Sequence, residues 1–237
     1  MTDWTVDSLA RSIDHHLLNP MLDDRQMVKG LAVAVDCNCA GVCVKPYFVG
    51  MTARLLDGVG IRTGTVVGFP HGGSTTQVKI EEARRAVGDG AEEVEMVVNI
   101  GKARSCEWGY VRDEIGGVSG CLSSHGVKLR VIFETGCLSD AMIGQLCRIC
   151  NEILPAGIVS STGFEYPGVD GGDRETGNRH LSMMRNLAAA EIGVKAAGGI
   201  LTLDDLLSAR ACGAVRFGTP APEQILEEAA ERLEREE

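Results

Sequence analysis

Two spacings of apolar residues take turns along this chain. Short runs with every second residue apolar, the period of a half-buried strand, occur at 12–17, 41–44, 62–68, 93–98, 128–133, 157–161, around Lys195 and at 214–217. Between them, apolar side chains recur every three or four residues, the period of a helix that packs by one face. Such stretches cover Asp23 to Cys37, where Met27, Leu31, Ala34 and Val35 share a side, and then 47–56, 75–89, 108–123, 140–153, 180–189, 203–211 and an acidic run to Glu237. Strict alternation of strand and helix predicts parallel β/α units. Eight of them in 237 residues favour a closed (β/α)8 barrel over an open sheet, with a short N-terminal extension. No repeat, low-complexity tract or linker interrupts the pattern, so residues 1–237 read as one domain. The longest irregular piece, 163–177, follows the sixth strand and reads as a lid or a plain surface loop.

The same alternation sorts each strand into a helix-facing and an axis-facing set. Val94, Met96 and Val98 face the helices, which turns Glu95 to the axis. Leu129, Val131 and Phe133 do the same, which turns Arg130, Ile132 and Glu134 inward, and in the second strand Cys43 and Lys45 face in. Lys195 lies mid-strand in Ile192–Ile200 and also points to the axis, with Asp14 at the rim of the first strand. A barrel interior is ordinarily filled with aliphatic side chains, so charges there mark a catalytic or ligand-binding site or a self-neutralising network. This set of cations and carboxylates is expected to lower the pKa of at least one lysine, which is what an amine that attacks carbonyls needs. Gly198 and Gly199 end the Lys195 strand just before a helix, an arrangement that lets backbone amides approach an anion. His16 beside Asp14 adds a possible acid–base pair.

Composition changes the picture only by exclusion. With 23 basic against 33 acidic residues, nucleic acid is not the default partner. No apolar run has the length of a membrane span, and the first residues do not read as a signal peptide. The nine cysteines show no paired metal-ligand spacing, so reduced thiols in a cytoplasmic protein are expected, with no metal and no cofactor.

Seven short motifs, in order, resemble the deoxyribose-phosphate aldolase family, Schiff-base aldolases on the (β/α)8 fold. They are Ile13–Leu18 (IDHHLL), Val42–Pro46 (VCVKP), Thr65–Gly72 (TVVGFPHG), Glu95–Gly101 (EMVVNIG), Ser161–Phe164 (STGF), Gly193–Gly199 (GVKAAGG) and Arg216–Gly218 (RFG). The resemblance implies cleavage of 2-deoxyribose 5-phosphate to acetaldehyde and glyceraldehyde 3-phosphate, and a homodimer. It also places the family's nucleophilic lysine at position 159, which here is valine. The family's acid–base aspartate corresponds to Glu95, a residue commonly threonine to His16, and its phosphate loop to Gly218-Thr219-Pro220, in which Pro220 has no N–H to donate. Lys195, Asp14, Cys43, Gly163, Gly198 and Gly199 match the pattern.

Two readings follow. In the first, the chain is a diverged aldolase-type lyase for a small aldehyde or sugar phosphate. Lys195, or less readily Lys45, is then the nucleophile; Arg130 tunes it, and Glu95, Asp14 and His16 move protons. Cys43, Gly163, Gly198, Gly199 and Gly218 line the substrate and its phosphate. In the second, the loss at Val159 leaves a pseudoenzyme that binds a metabolite or partner.

Overall fold

A computed structural model describes residues 4–164 and 174–236. Eight parallel strands form a closed barrel in sequence order: β1 (Ile13–Leu17), β2 (Gly41–Val44), β3 (Arg62–Val67), β4 (Glu93–Val97), β5 (Lys128–Ile132), β6 (Gly157–Val159), β7 (Gly193–Ala197) and β8 (Arg216–Thr219), with β8 pairing back to β1. The helices are α1 (Val6–Ala10), α2 (Asp24–Asp36), α3 (Val49–Leu55), α4 (Thr76–Gly88), α5 (Ile100–Arg104), α6 (Trp108–Ser123), α7 (Asp140–Ile153), α8 (Arg174–Leu187), α9 (Leu203–Ala211) and α10 (Pro222–Glu236). The barrel predicted from the alternating periods is the observed one. No helix among the described residues is long and apolar enough to cross a membrane, and all nine cysteines carry free thiols.

The helix starts explain where the periods change. Thr5, Asp23, Thr75, Asn99 and Thr202 each turn a side-chain oxygen onto a backbone N–H of the first helical turn, satisfying a donor that the helix itself cannot. The five-residue helices α1 and α5 escaped the periodic reading because each is too short to show a period. β8 begins at Arg216, two residues later than expected. Arg216 and Gly218 both face the axis there, so apolar alternation is lost on that side. The predicted lid at 163–177 falls mostly on 165–173, outside the described residues.

Two apolar layers fill the protein. The larger lies between sheet and helices, where Val94, Met96, Val131, Phe133, Ile158, Val194 and Phe217 meet Met27, Ile115, Leu122, Ile143, Leu206 and Ile225. Inside the barrel the layer is thin. Val97, Ile132, Val159 and Ala197 form one cluster, and Leu18, Cys43 and Val66 another, with Phe69 packed against both.

A buried ion pair crosses the outer layer. Lys79 on α4 and Glu114 on α6 are fully buried, with Nζ 2.8 Å from Oε1. The same ammonium donates to the Val97 carbonyl on β4 at 2.8 Å, and Glu114 accepts from the Asn99 amide at 2.9 Å. Gly68, at φ +63°, is what admits the lysine: a Cβ there would lie 2.6 Å from Lys79 Cε.

Candidate active site

The axis-facing positions of β1, β4, β5, β7 and β8 carry charge, and the strand register stacks these charges into a lattice across the barrel floor. Glu95 is in register with Arg130, Arg130 with Gly157, and Lys195 with both Val159 and Arg216. Lys195 is 1% exposed, and its Nζ lies 2.8 Å from Asp14 Oδ2 and 2.5 Å from Glu95 Oε1. Arg216 clamps the same aspartate, with Nη2 2.5 Å from Oδ1 and Nε 3.1 Å from Oδ2. Glu93 is held by Arg130 and by Arg62, the latter at 2.7 Å.

This pairing reverses one sequence expectation. Burial alone would pull the Lys195 ammonium down, but the carboxylates of Asp14 and Glu95 outweigh it and raise its pKa above the ordinary lysine value. Asp14 is the mirror image: burial pushes its carboxyl up, yet Lys195 and Arg216 hold it well below the usual range. The cations expected to crowd Lys195 are engaged elsewhere. Arg130 turns to Glu93. Lys45 leaves the barrel, because Pro46 opens a 3-10 turn after β2 and strand pairing stops at Val44. Its Nζ donates to the Leu22 carbonyl at 2.8 Å at the rim. Lys45 therefore lies off the cluster in which it was expected. Glu134 also leaves the axis: at φ +56° it caps the turn after β5, and its carboxylate accepts from the Thr162 amide at 3.2 Å.

Above the floor the mouth has two unlike walls. Val159 packs with Val97, Ile132 and Ala197 in a dry patch without a polar side chain. Across from it stand His16, Cys43 and Glu95, each contributing a ligand-type atom within 4.8 Å of the other two. Burial, reinforced by Lys195, keeps the His16 imidazole neutral by holding its pKa well below 6.5, and burial beside Glu95 pushes the Cys43 thiol up. Gly218 lies against this wall: a Cβ on it would sit 2.2 Å from His16 Cε1. Phe69 and Phe164 meet edge to face at 5.4 Å over the Cys43 side of the mouth.

A cavity of about 540 Å³ opens beside the mouth, at the ends of β6 and β7. Gly163, Gly198 and Gly199 line it together with Ser160, Arg174 and Asn178. The anion cradle expected at the following helix is taken by the chain's own acids. Asp205 Oδ2 accepts from the Leu201 amide at 3.1 Å and from the Thr202 amide at 2.9 Å, and Glu228 accepts from the Leu203 amide at 2.7 Å. Positive charge in the cavity comes instead from Arg174, paired with Asp205. Gly218 does not line this cavity, so the expected phosphate set splits: three glycines meet here and the fourth makes room for His16. Sequence reasoning also passed over Glu93 and Arg216. Strand parity could have found Glu93, which sits two residues before the axis-facing Glu95, whereas no parity was read for the strand of Arg216.

Residues 9–218 match the model of the DeoC/LacD family aldolase. The chain belongs to this family of aldolases. Deoxyribose-phosphate aldolase of Rhodopirellula baltica is 38% identical over 233 residues, covering 98% of this chain and 94% of that protein. Among solved structures, a putative deoxyribose-phosphate aldolase from Coccidioides immitis superposes with a TM-score of 0.88 at 30% identity, covering 97% of this chain and 88% of that one. The deoxyribose phosphate aldolase of Aeropyrum pernix, described as a unique tetramer, gives 0.83 at 27% identity over 94% of this chain and 91% of that one. Membership makes the protein an aldolase-type lyase by family. It also gives the walls their meaning: this aldolase has Val159, with no amine, in its dry patch, and keeps its charged wall opposite.

Proposed function

We propose that this aldolase makes and breaks a carbon–carbon bond in a small aldehyde or sugar phosphate, with Lys195 as the amine that captures the carbonyl. The observation that carries this reading is the pair of contacts at Lys195 Nζ, 2.5 Å to Glu95 and 2.8 Å to Asp14, on the floor of the mouth. The resting ammonium can hand one proton to Glu95 along the shorter contact, leaving a neutral amine and a carboxylic acid side by side. The amine adds to the carbonyl carbon, Glu95 returns its proton to the resulting alkoxide, and loss of water gives the iminium. In the cleavage direction a carboxylate takes the proton of the hydroxyl at C3, the C2–C3 bond breaks, and its electron pair moves into the enamine. Protonation at C2 and hydrolysis release the aldehyde and restore the lysine.

Support for a phosphorylated substrate comes from the adjoining cavity, where Arg174 and the Gly163, Gly198 and Gly199 backbone stand together. The relatives' name supplies the specific candidate, 2-deoxyribose 5-phosphate. The nine free thiols suit a reducing cytoplasm. The resemblance also carries a homodimer into this reading, which sedimentation equilibrium would decide.

Reductive trapping tests the amine. The protein is incubated with acetaldehyde or 2-deoxyribose 5-phosphate, treated with borohydride, and mapped by mass spectrometry. A single adduct on Lys195, absent in Lys195→Met, is the expected result. A folded protein with no adduct at Lys195 or Lys45 would sink the amine mechanism and leave metabolite binding without turnover as the better account.

A further inference from the structure

His16, Cys43 and Glu95 come from three different strands, β1, β2 and β4, and no sequence spacing links them. The barrel nevertheless brings an imidazole nitrogen, a thiol sulfur and a carboxylate oxygen within 4.8 Å of one another. Among the described residues no other three His, Cys, Asp or Glu side chains converge so closely. A second observation points the same way. His16 Nε2 is buried without a hydrogen-bond partner, a state in which a polar atom forfeits its water and gains nothing. The wall behind the ring is shaped to keep it there, since any Cβ at Gly218 would occupy the space of the imidazole, 2.4 Å from Nε2.

We propose that His16, Cys43 and Glu95 hold one divalent transition-metal ion of zinc's class, with the fourth position open to the barrel mouth. The donor set selects that class. Hard ions such as magnesium and calcium take oxygen ligands, whereas one nitrogen, one sulfur and one oxygen suit a borderline ion in a tetrahedral site. Bonds of about 2.0–2.3 Å to a tetrahedral ion set donor atoms about 3.3–3.7 Å apart, so side-chain movements on the order of 1 Å close the present spread. Glu95 can serve two partners, because Oε1 faces Lys195 and leaves Oε2 for the ion. Lys195 then fixes the orientation of the ligating carboxylate from behind. On binding, bonds form from the ion to nitrogen, sulfur and oxygen, the Cys43 S–H bond breaks, and its proton leaves to solvent. A substrate carbonyl oxygen in the open position would be polarised from the wall facing Val159. The site goes beyond the amine mechanism and does not depend on it, since binding can be scored without turnover.

Cobalt(II) is the probe. Chelator-washed protein titrated with cobalt chloride should saturate at one ion per chain, with visible bands of tetrahedral intensity and a near-ultraviolet thiolate-to-cobalt band that zinc bleaches. Cys43→Ala should abolish the thiolate band, and His16→Gln should weaken cobalt binding at least about tenfold. Cys106→Ser, at an exposed thiol, should leave both unchanged. Absence of a saturable band, or a thiolate band that survives in folded Cys43→Ala, would overturn the site. If Cys43→Ala does not fold, unchanged cobalt affinity in His16→Gln overturns it equally. Borohydride trapping on the metal-free protein decides the amine mechanism separately, so failure of either proposal is visible without the other.

Discussion

The two walls of the mouth are built from strands of the same barrel and differ sharply in chemistry. The cluster of Val97, Ile132, Val159 and Ala197 is wholly aliphatic and at most 4% exposed. The polar groups Asp14, His16, Cys43, Glu95 and Lys195 converge beside it, with Lys195 shared by Asp14 and Glu95 and His16 Nε2 without a partner, while Leu18, Val66, Phe69 and Phe164 pack around Cys43. The difference teaches that the chemistry of this aldolase can be organised around one side of its pocket. In the proposed mechanism the aliphatic wall gives the pocket its shape, whereas the charged wall handles protons and the carbonyl.

The sharpest way to break the comparison is to silence the charged wall. Lys195→Met is expected to lower kcat about 10⁴-fold or more and to abolish the borohydride adduct. The same change leaves Asp14 and Glu95 buried without their shared cation, so denaturant unfolding should show a stability loss of about 3–5 kcal/mol. Glu95→Gln keeps the shape and removes the proton acceptor; kcat should fall about 10²–10³-fold while aldehyde still reaches Lys195. The converse test puts an amine into the dry wall. Val159→Lys should give a second borohydride adduct at position 159, because an adjacent Lys195 disfavours the charged form of the new amine. Its cost should be about 1–3 kcal/mol of stability from overfilling the aliphatic cluster. No adduct at 159 in a folded variant would show that the dry wall is closed to substrate, and the contrast between the walls would then be absolute.

A further effect lies outside both walls. His15 is buried on the helix-facing side of β1, with Nδ1 3.3 Å from the Thr219 carbonyl. Burial lowers its pKa from 6.5 to about 4, against which the Thr219 carbonyl pulls weakly upward. Its neutral form is therefore the one that folding favours. The stability it contributes is complete above pH 6.5 and is lost as pH falls toward 4, an effect of about 3 kcal/mol. His15→Gln should flatten unfolding curves recorded across that window; an unchanged slope would refute the assignment.

How much of this was legible before the structure follows from which forces act locally. Periods of two and of three to four, set by burial on one face, placed all eight strands and the long helices, and strand parity turned Glu95, Arg130, Cys43 and Lys195 to the axis. Partnership was not legible. Parity says that Lys195 and Arg130 share an interior, but only register and tilt decide that Lys195 meets Asp14 and Glu95 while Arg130 meets Glu93. That is why the sign of the Lys195 shift was missed. Lys45 lies one residue beyond the end of β2, where alternation no longer governs its direction. The meeting of His16, Cys43 and Glu95 joins residues separated by many tens of positions, and no linear spacing records it.

The Lys79–Glu114 pair gives this arrangement a mechanical meaning. One ammonium, buried among the helices, grips the carbonyl of Val97, the β4 residue that lines the dry wall two positions beyond Glu95. The helical jacket and the aliphatic wall are thereby fastened by one buried bolt. Loosening that bolt exposes an unpaired charge to the core. Loss of function on heating should then track loss of helix rather than precede it, and the pocket should fail with its scaffold as one cooperative unit.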